Sequence, residues 1–162
     1  MCIRDRYYRA EVIFAHLGTA FLILGVGVVS AYSMETEVLL APGEEFKLGD
    51  SKFTFKEIKT RKEQNYNSTQ ARLSVSTNNS SYDLITEKRY YPFANQMMTE
   101  AGIKTLITKD FYVTLGDELG EKYSFRLQIK PFVRWIWFGA LMVAIGTFLS
   151  AYRQRKRNEK IT

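Results

Sequence analysis

The sequence predicts a membrane protein in which two transmembrane α-helices flank a small all-β domain, folded as an antiparallel sandwich or a barrel-like sheet. Apolar stretches near both ends of the 162-residue chain predict the helices, and alternating apolar and polar residues between them predict the strands. The charge distribution agrees with this division. Residues 35–130 carry 14 basic and 14 acidic side chains, so the net charge of +6 arises at the two ends.

The first predicted helix covers residues 12–33 and follows a cytoplasmic N-terminal stretch, residues 1–11. Residues 12–32 contain His16 as the only ionisable group before Tyr32. At ~1.5 Å per residue they span about 31 Å, which matches a hydrocarbon core of roughly 30 Å. A cleavable signal peptide is the alternative, because the small residues at 29–31 resemble a cleavage site. A signal core has only roughly 7 to 15 apolar residues, so a retained anchor is favoured.

Residues 34–131 are predicted to form the β domain. Apolar and polar residues tend to alternate in six segments, which gives each strand one buried and one exposed face. Glycine, proline, asparagine and aspartate separate the segments as turns. Residues 95–105 are expected to form a helical turn or a loop, with Met97 and Met98 filling gaps in the core or the loop. The six predicted strands are 44–48, 53–59, 71–76, 82–90, 111–115 and 122–130.

The second predicted helix covers residues 132–152, and a basic cytoplasmic tail, residues 153–162, follows it. Basic residues flank both helices on the sides that face the ends of the chain. Because basic flanks are retained in the cytoplasm, both termini are expected there and residues 34–131 on the far side of the membrane. Trp135 and Trp137 then form part of an aromatic belt at the outer interface.

The composition excludes several classes of function. The β domain is neutral and therefore lacks the basic face of a nucleic-acid-binding protein, so no nucleic-acid partner is expected. One cysteine and one histidine cannot build a disulfide framework or a Cys/His zinc site within this chain. No phosphate-binding glycine loop or pair of catalytic carboxylates is evident, and no catalytic residue is predicted.

His16 is the residue that most indicates a function. It lies about four residues, or ~6 Å, into the first helix, and ionisable groups at membrane depth are costly and often serve a site. Helical spacing places Thr19, Ala20, Ile23 and Gly27 on the same face, and small residues let another helix or a flat macrocycle approach closely. A hydrogen bond between helices, a proton relay and an axial ligand for haem iron all remain open for the imidazole.

Several motifs occur together in the order found in one protein family. Over residues 12–152 the sequence resembles the C-terminal part of the CcmF family, integral-membrane haem lyase subunits of bacterial cytochrome c maturation. No single motif carries the resemblance, whereas KPFVRWIW and EKRYYP with MTEA are specific in combination. The motifs are AHLG at 15–18, APG at 41–43, EKRYYP at 87–92, MTEAGI at 98–103, DFYVTLGDELG at 110–120 and KPFVRWIW at 130–137.

The resemblance implies an inner-membrane protein that receives haem from a periplasmic haem chaperone and promotes its attachment to apocytochrome c, which has a thiol-reducing partner. It also implies a b-type haem held between two transmembrane histidines. His16 matches the histidine of the AHLG motif and is therefore expected to ligate the haem iron. The second axial ligand is absent from this chain. It is expected from the upstream part of the haem lyase or from a second subunit.

The family's tryptophan-rich haem-binding segment and its periplasmic histidines also have no counterpart here. The chain is therefore expected to be a C-terminal piece from a truncated reading frame, with residues 1–6 artefactual, and to lack catalytic activity alone. An alternative is a membrane-anchored periplasmic β domain that acts as a non-enzymatic protein-interaction module.

Overall fold

The computed structural model describes residues 4–77 and 80–159, with side chains from residue 10 onward. The chain divides into two compact units, one formed by residues 33–130 and the other by the two terminal segments. Helix α1 (Arg4–Tyr32) and helix α2 (Val133–Asn158) form the terminal unit. Both helices extend beyond the predicted spans because the basic residues that flank them are good helix formers. Residues 1–3 and 160–162 of the predicted end segments lie outside the described residues.

The central unit is a sandwich of two antiparallel sheets. One sheet has the strand order β1-β9-β8-β7, and the other has the order β2-β3-β4-β5-β6. The strands of the described residues are β1 (Met34–Leu40), β2 (Glu45–Leu48), β3 (Ser51–Lys62), β4 (Asn67–Thr77), β5 (Ser80–Tyr91), β6 (Gln96–Glu100), β7 (Gly102–Thr105), β8 (Lys109–Leu119) and β9 (Lys122–Pro131).

The predicted alternation builds the core between the sheets. Phe53 and Phe55 of β3 meet rings from the other sheet: Phe53 packs on Phe111 at 6.0 Å and Phe55 on Phe125 at 4.8 Å between ring centroids. All four rings are fully buried. Because each aromatic side chain removes on the order of 150–250 Å² from water, these rings dominate the burial energy. The other buried apolar residues are Leu40, Ala71, Leu73, Val75, Leu84, Val113, Leu115, Leu127 and Ile129.

A buried hydroxyl connects the two sheets. Thr86 of β5 is fully buried, and its Oγ1 donates to the carbonyl of Glu100 at 2.8 Å. The same oxygen accepts the backbone N–H of Leu115 in β8 at 3.0 Å. Lys88, two residues further along β5, binds Asp117 of β8 at 2.5 Å. Strand β5 is therefore tied to the opposite sheet by polar contacts as well as by apolar packing.

The sandwich confirms the six predicted strands and corrects two parts of the prediction. Residues 34–40, which were not assigned a strand, form β1 and pair with β9 from Met34 opposite Ile129 to Leu40 opposite Tyr123. The helical turn or loop expected at 95–105 is wrong, because β6 and β7 occupy this segment, one in each sheet. Both strands are short and are held by pairing to β5 and β8.

Helices α1 and α2 pack through glycines that are spaced seven residues apart. Gly18 and Gly25 of α1 face α2, and Gly139 and Gly146 of α2 face α1. A Cβ at Gly18 would lie 2.8 Å from the Gly139 carbonyl oxygen, so the two backbones are in direct contact there. Small residues permit such close packing of membrane helices. For these faces the neighbour of each helix is the other helix.

Candidate functional site

His16 lies on the face of α1 that points away from α2. Two residues of an α-helix subtend about 200°, so His16 is nearly opposite Gly18, which packs on α2. Its side chain is exposed in the described chain. Helix α2 therefore does not cover His16. A hydrogen bond from His16 to α2 is thereby excluded as the role of this side chain.

The hydrogen bond made by His16 fixes which ring nitrogen is available. Nδ1 lies 2.7 Å from the backbone carbonyl oxygen of Val12, one turn earlier in α1. A carbonyl oxygen only accepts, so Nδ1 carries the proton. In the neutral form of the ring, Nε2 then has no proton and can act as a ligand. This is the arrangement that ligating histidines adopt, in which the second nitrogen donates to a carbonyl and orients the ring.

The helix surface around His16 consists mostly of small side chains, and its one hydroxyl has a hydrogen-bond partner. The Thr19 hydroxyl donates to the Ala15 carbonyl at 2.9 Å and so needs no external partner. Ala20 and Gly27 are exposed, and apart from the adjoining backbone of α1 no atom of the described chain lies within 4 Å of a Cβ built on Gly27. His16, Thr19, Ala20, Ile23 and Gly27 therefore form one exposed stripe, which we call the His16 face.

These residues fit a porphyrin with axial histidine ligation, and this chain can supply one histidine ligand. The imidazole has a free Nε2, and the adjoining helix surface leaves room for a flat ring. No group of three or more possible metal ligands occurs among the residues that the structure describes. A site built by the described part of the chain alone would therefore have a single histidine ligand.

The β domain contains clusters of charged side chains, which form ion pairs with one another on the sheet surface. Arg89 binds Glu87 at 3.0 Å and Glu100 at 3.2 Å, and its guanidinium lies 5.0 Å from the centroid of the Tyr66 ring. The hydrogen bond from Arg89 lowers the pKa of Glu87, although burial opposes this effect. Such a network orders the sheet surface.

The adjacent carboxylates at turns are likewise held in ion pairs. Glu44 accepts from Lys122 at 2.8 Å and from the Ala41 backbone N–H at 2.9 Å, and these bonds lower its pKa. Asp117 is held by Lys88, whose hydrogen bond lowers the pKa of this carboxyl.

Met97 and Met98 do not fill the core as expected. They lie on β6, at the edge of the five-stranded sheet, and are 56% and 44% exposed. Phe93, in the turn before β6, is 95% exposed. The sequence gives no signal for the exposure of Phe93, because phenylalanine fills the core elsewhere in the domain.

Fold and site together define an antiparallel β-sandwich carried between two helices that are long and apolar enough to cross a membrane, by length and composition. A family model described as the CcmF C-terminal beta-sandwich matches residues 31–131. The chain belongs to the CcmF family.

Curated relatives and a solved structure agree with this assignment. The chain is 39% identical over 150 residues to the cytochrome c-type biogenesis protein CcmF of Escherichia coli K12, covering 90% of the chain and 23% of the relative. It is 41% identical over 145 residues to CcmF of Pseudomonas fluorescens, covering 88% and 22%. A solved structure titled Cytochrome c Heme Lyase CcmF has the same fold, with a TM-score of 0.70 and 22% identity over 91% of this chain and 25% of the solved chain. The chain thus spans about a quarter of the length of these proteins.

Proposed function

We propose that this chain contributes to the haem lyase of cytochrome c-type biogenesis and that His16 is an axial ligand of a b-type haem within the membrane. The observation that carries the proposal is the hydrogen bond of His16 Nδ1 to Val12, which leaves Nε2 as the ligating nitrogen. Membership of the CcmF family supports the haem-handling role. The second axial ligand comes from another polypeptide segment, because this chain has one histidine.

Four residues of α1 have tasks in this proposal. His16 offers Nε2, and Val12 holds the imidazole in the required tautomer and orientation. Ala20 and Gly27 keep the helix surface flat, so the macrocycle can lie against it. Haem bound there supplies a one-electron redox centre, whose potential depends on ligation and burial.

The proposal includes a location and partners. The protein lies in the bacterial inner membrane, with both termini cytoplasmic and residues 34–131 periplasmic. There the β domain meets the upstream part of the haem lyase or a second subunit, the haem chaperone, and apocytochrome c with its thiol-reducing partner. An alkaline phosphatase insertion at Gly120 is expected to be active, and a green fluorescent protein fused to the C-terminus is expected to fluoresce. The reverse pattern would contradict this orientation.

The ligand role is tested in a chimera, because the second ligand must be supplied. The chain replaces the aligned segment of the E. coli relative, and the haem content of the purified protein is read from the reduced-minus-oxidised optical spectrum. His16→Ala is expected to abolish the b-type band, and added imidazole to restore part of it. Thr19→Ala on the same face is the matched control and keeps the band. A normal band in His16→Ala, at equal protein level, would refute ligation.

A second substitution tests whether the macrocycle lies on this face. Gly27→Leu places a large side chain where the described chain leaves open space, without a contact to α2. Haem content is expected to fall in Gly27→Leu and to change less in Gly27→Ala. Full haem content in Gly27→Leu would show that the ring does not lie over residue 27.

The exposed apolar residues of the β domain favour a second candidate, a non-enzymatic protein-interaction module. Phe93 and Ile107 are 95% and 75% exposed. A photocrosslinking amino acid at position 93, with position 59 on the polar part of β3 as control, separates the two functions. Crosslinks to cytochrome maturation components support the haem-handling role, whereas crosslinks to unrelated envelope proteins support the alternative.

A further inference from the structure

We propose that an open groove between the chain-terminal ends of α1 and α2 binds the headgroup of an anionic phospholipid. The groove has a volume of about 420 Å³ and is lined by Ala10, Glu11, Leu149, Tyr152, Arg153 and Lys156. No step of the haem chemistry proposed above involves these residues. The inference therefore stands or falls independently of His16.

The lining residues form one stripe of α2 that changes from apolar to basic along the helix. Positions 149, 152, 153 and 156 follow helical spacing and therefore lie on one face. Leu149 is at the apolar end, Tyr152 is at the boundary, and Arg153 and Lys156 are at the basic end. Across the groove, Ala10 and Glu11 of α1 form the opposite wall. A phospholipid has the same order of groups, with acyl chains, then glycerol, then phosphate.

The charges in the groove favour an anion. Glu11 is bound by Arg153 at 2.8 Å, so its negative charge is already compensated. The ammonium of Lys156 lies 4.9 Å from the centroid of the Tyr152 ring, and both residues line the groove. The lining in the described part of the chain therefore carries two cations against one carboxylate. This excess complements the charge of a phosphate group.

Lys156 and Arg155 offer a matched comparison. Arg155 is adjacent in sequence and carries the same charge, but it is outside the groove lining and pairs with Glu159 at 3.3 Å. A diffuse electrostatic attraction to anionic membranes would involve both residues, because the Arg155–Glu159 pair is exposed to solvent and therefore weak. Binding of a phospholipid in the groove would depend on Lys156 and not on Arg155.

The full chain, purified and stripped of lipid, is titrated with cardiolipin or phosphatidylglycerol, and bound lipid is counted by native mass spectrometry. Lys156→Gln is expected to weaken binding about fivefold, the effect of one cation near an anionic lipid surface. Arg155→Gln is expected to change it less than twofold, and Lys156→Arg to retain it. Circular dichroism confirms that each variant is folded.

Four outcomes would overturn the proposal. Equal losses in Lys156→Gln and Arg155→Gln indicate non-specific surface charge, and no loss in either indicates that the groove is not used. Equal binding of phosphatidylethanolamine shows that anionic charge is not recognised. Complete displacement by millimolar inorganic phosphate shows a site for free phosphate and not for a lipid.

Discussion

Replacing Thr86 by valine is expected to destabilise the β-sandwich strongly, because one buried hydroxyl joins three strands. The side chain is fully buried, donates to Glu100 in β6 and accepts from Leu115 in β8. Valine has nearly the same volume and leaves no cavity, so the effect isolates the hydrogen bonds. A carbonyl and a buried N–H lose their partner, and each unsatisfied group costs about 1–3 kcal/mol.

The expected loss in Thr86→Val is therefore about 2–4 kcal/mol, since the bond to Glu100 is only partly buried. Thr86→Ser is the control. It keeps both bonds and removes one buried methyl, at a cost of about 0.5–1.5 kcal/mol. Hydrogen exchange of residues 109–119, measured by mass spectrometry in increasing urea, reports the unfolding free energy of β8. The reasoning is refuted if Thr86→Val is as stable as Thr86→Ser or more stable.

Two further predictions concern helix packing and the ion-paired carboxylates. Gly18→Ala is expected to weaken α1–α2 packing, because its Cβ would meet backbone atoms at 2.8 Å, whereas Gly27→Ala has open space and leaves packing unchanged. Tryptophan fluorescence on heating reads this out, since both tryptophans lie in α2; equal melting of the two variants would contradict it. The pKa of Asp50 is lowered by Lys109 and that of Asp117 by Lys88, so both carboxylates stabilise the fold above the unfolded pKa, about 4. This stability is lost as the pH falls below that value and through the lower pKa of the folded state. In Asp50→Asn the free energy of unfolding is expected to fall less steeply with acid. An unchanged pH dependence would refute the contribution of Asp50.

The sequence predicts those parts of the fold that depend on local periodicity. Alternation places Phe53 and Phe55 inward, and the buried aromatic core confirms this. The β1 strand was missed because, of its residues, only Leu40 is fully buried and no turn separates the strand from α1. A register shift between Phe55 and Glu57 also ends the simple alternation in β3. A bulge of this kind depends on the partner strand and leaves no local signal.

Long-range pairing explains what the sequence could not predict. Thr86 falls on the inward positions of its strand, but its partners are 14 and 29 residues away and belong to both sheets. Strands β6 and β7 are too short for a clear period and are defined by the neighbours they pair with. Methionine is an apolar residue, so its type predicts burial of Met97. Its place on the edge strand β6 leaves it exposed instead.

The division of α1 into two faces constrains any haem site that includes His16. The glycines at 18 and 25 are fully used in the contact with α2, whose backbone approaches too closely to admit a ring between the helices. A porphyrin ligated by His16 must therefore lie on the opposite side of α1, over the His16 face. The helix that supplies the second ligand must then approach α1 from that side, and not from the side of α2. Crosslinks from position 23 of the chimera, on the His16 face, are accordingly expected to reach the upstream helices of the relative, whereas crosslinks from position 22 reach α2.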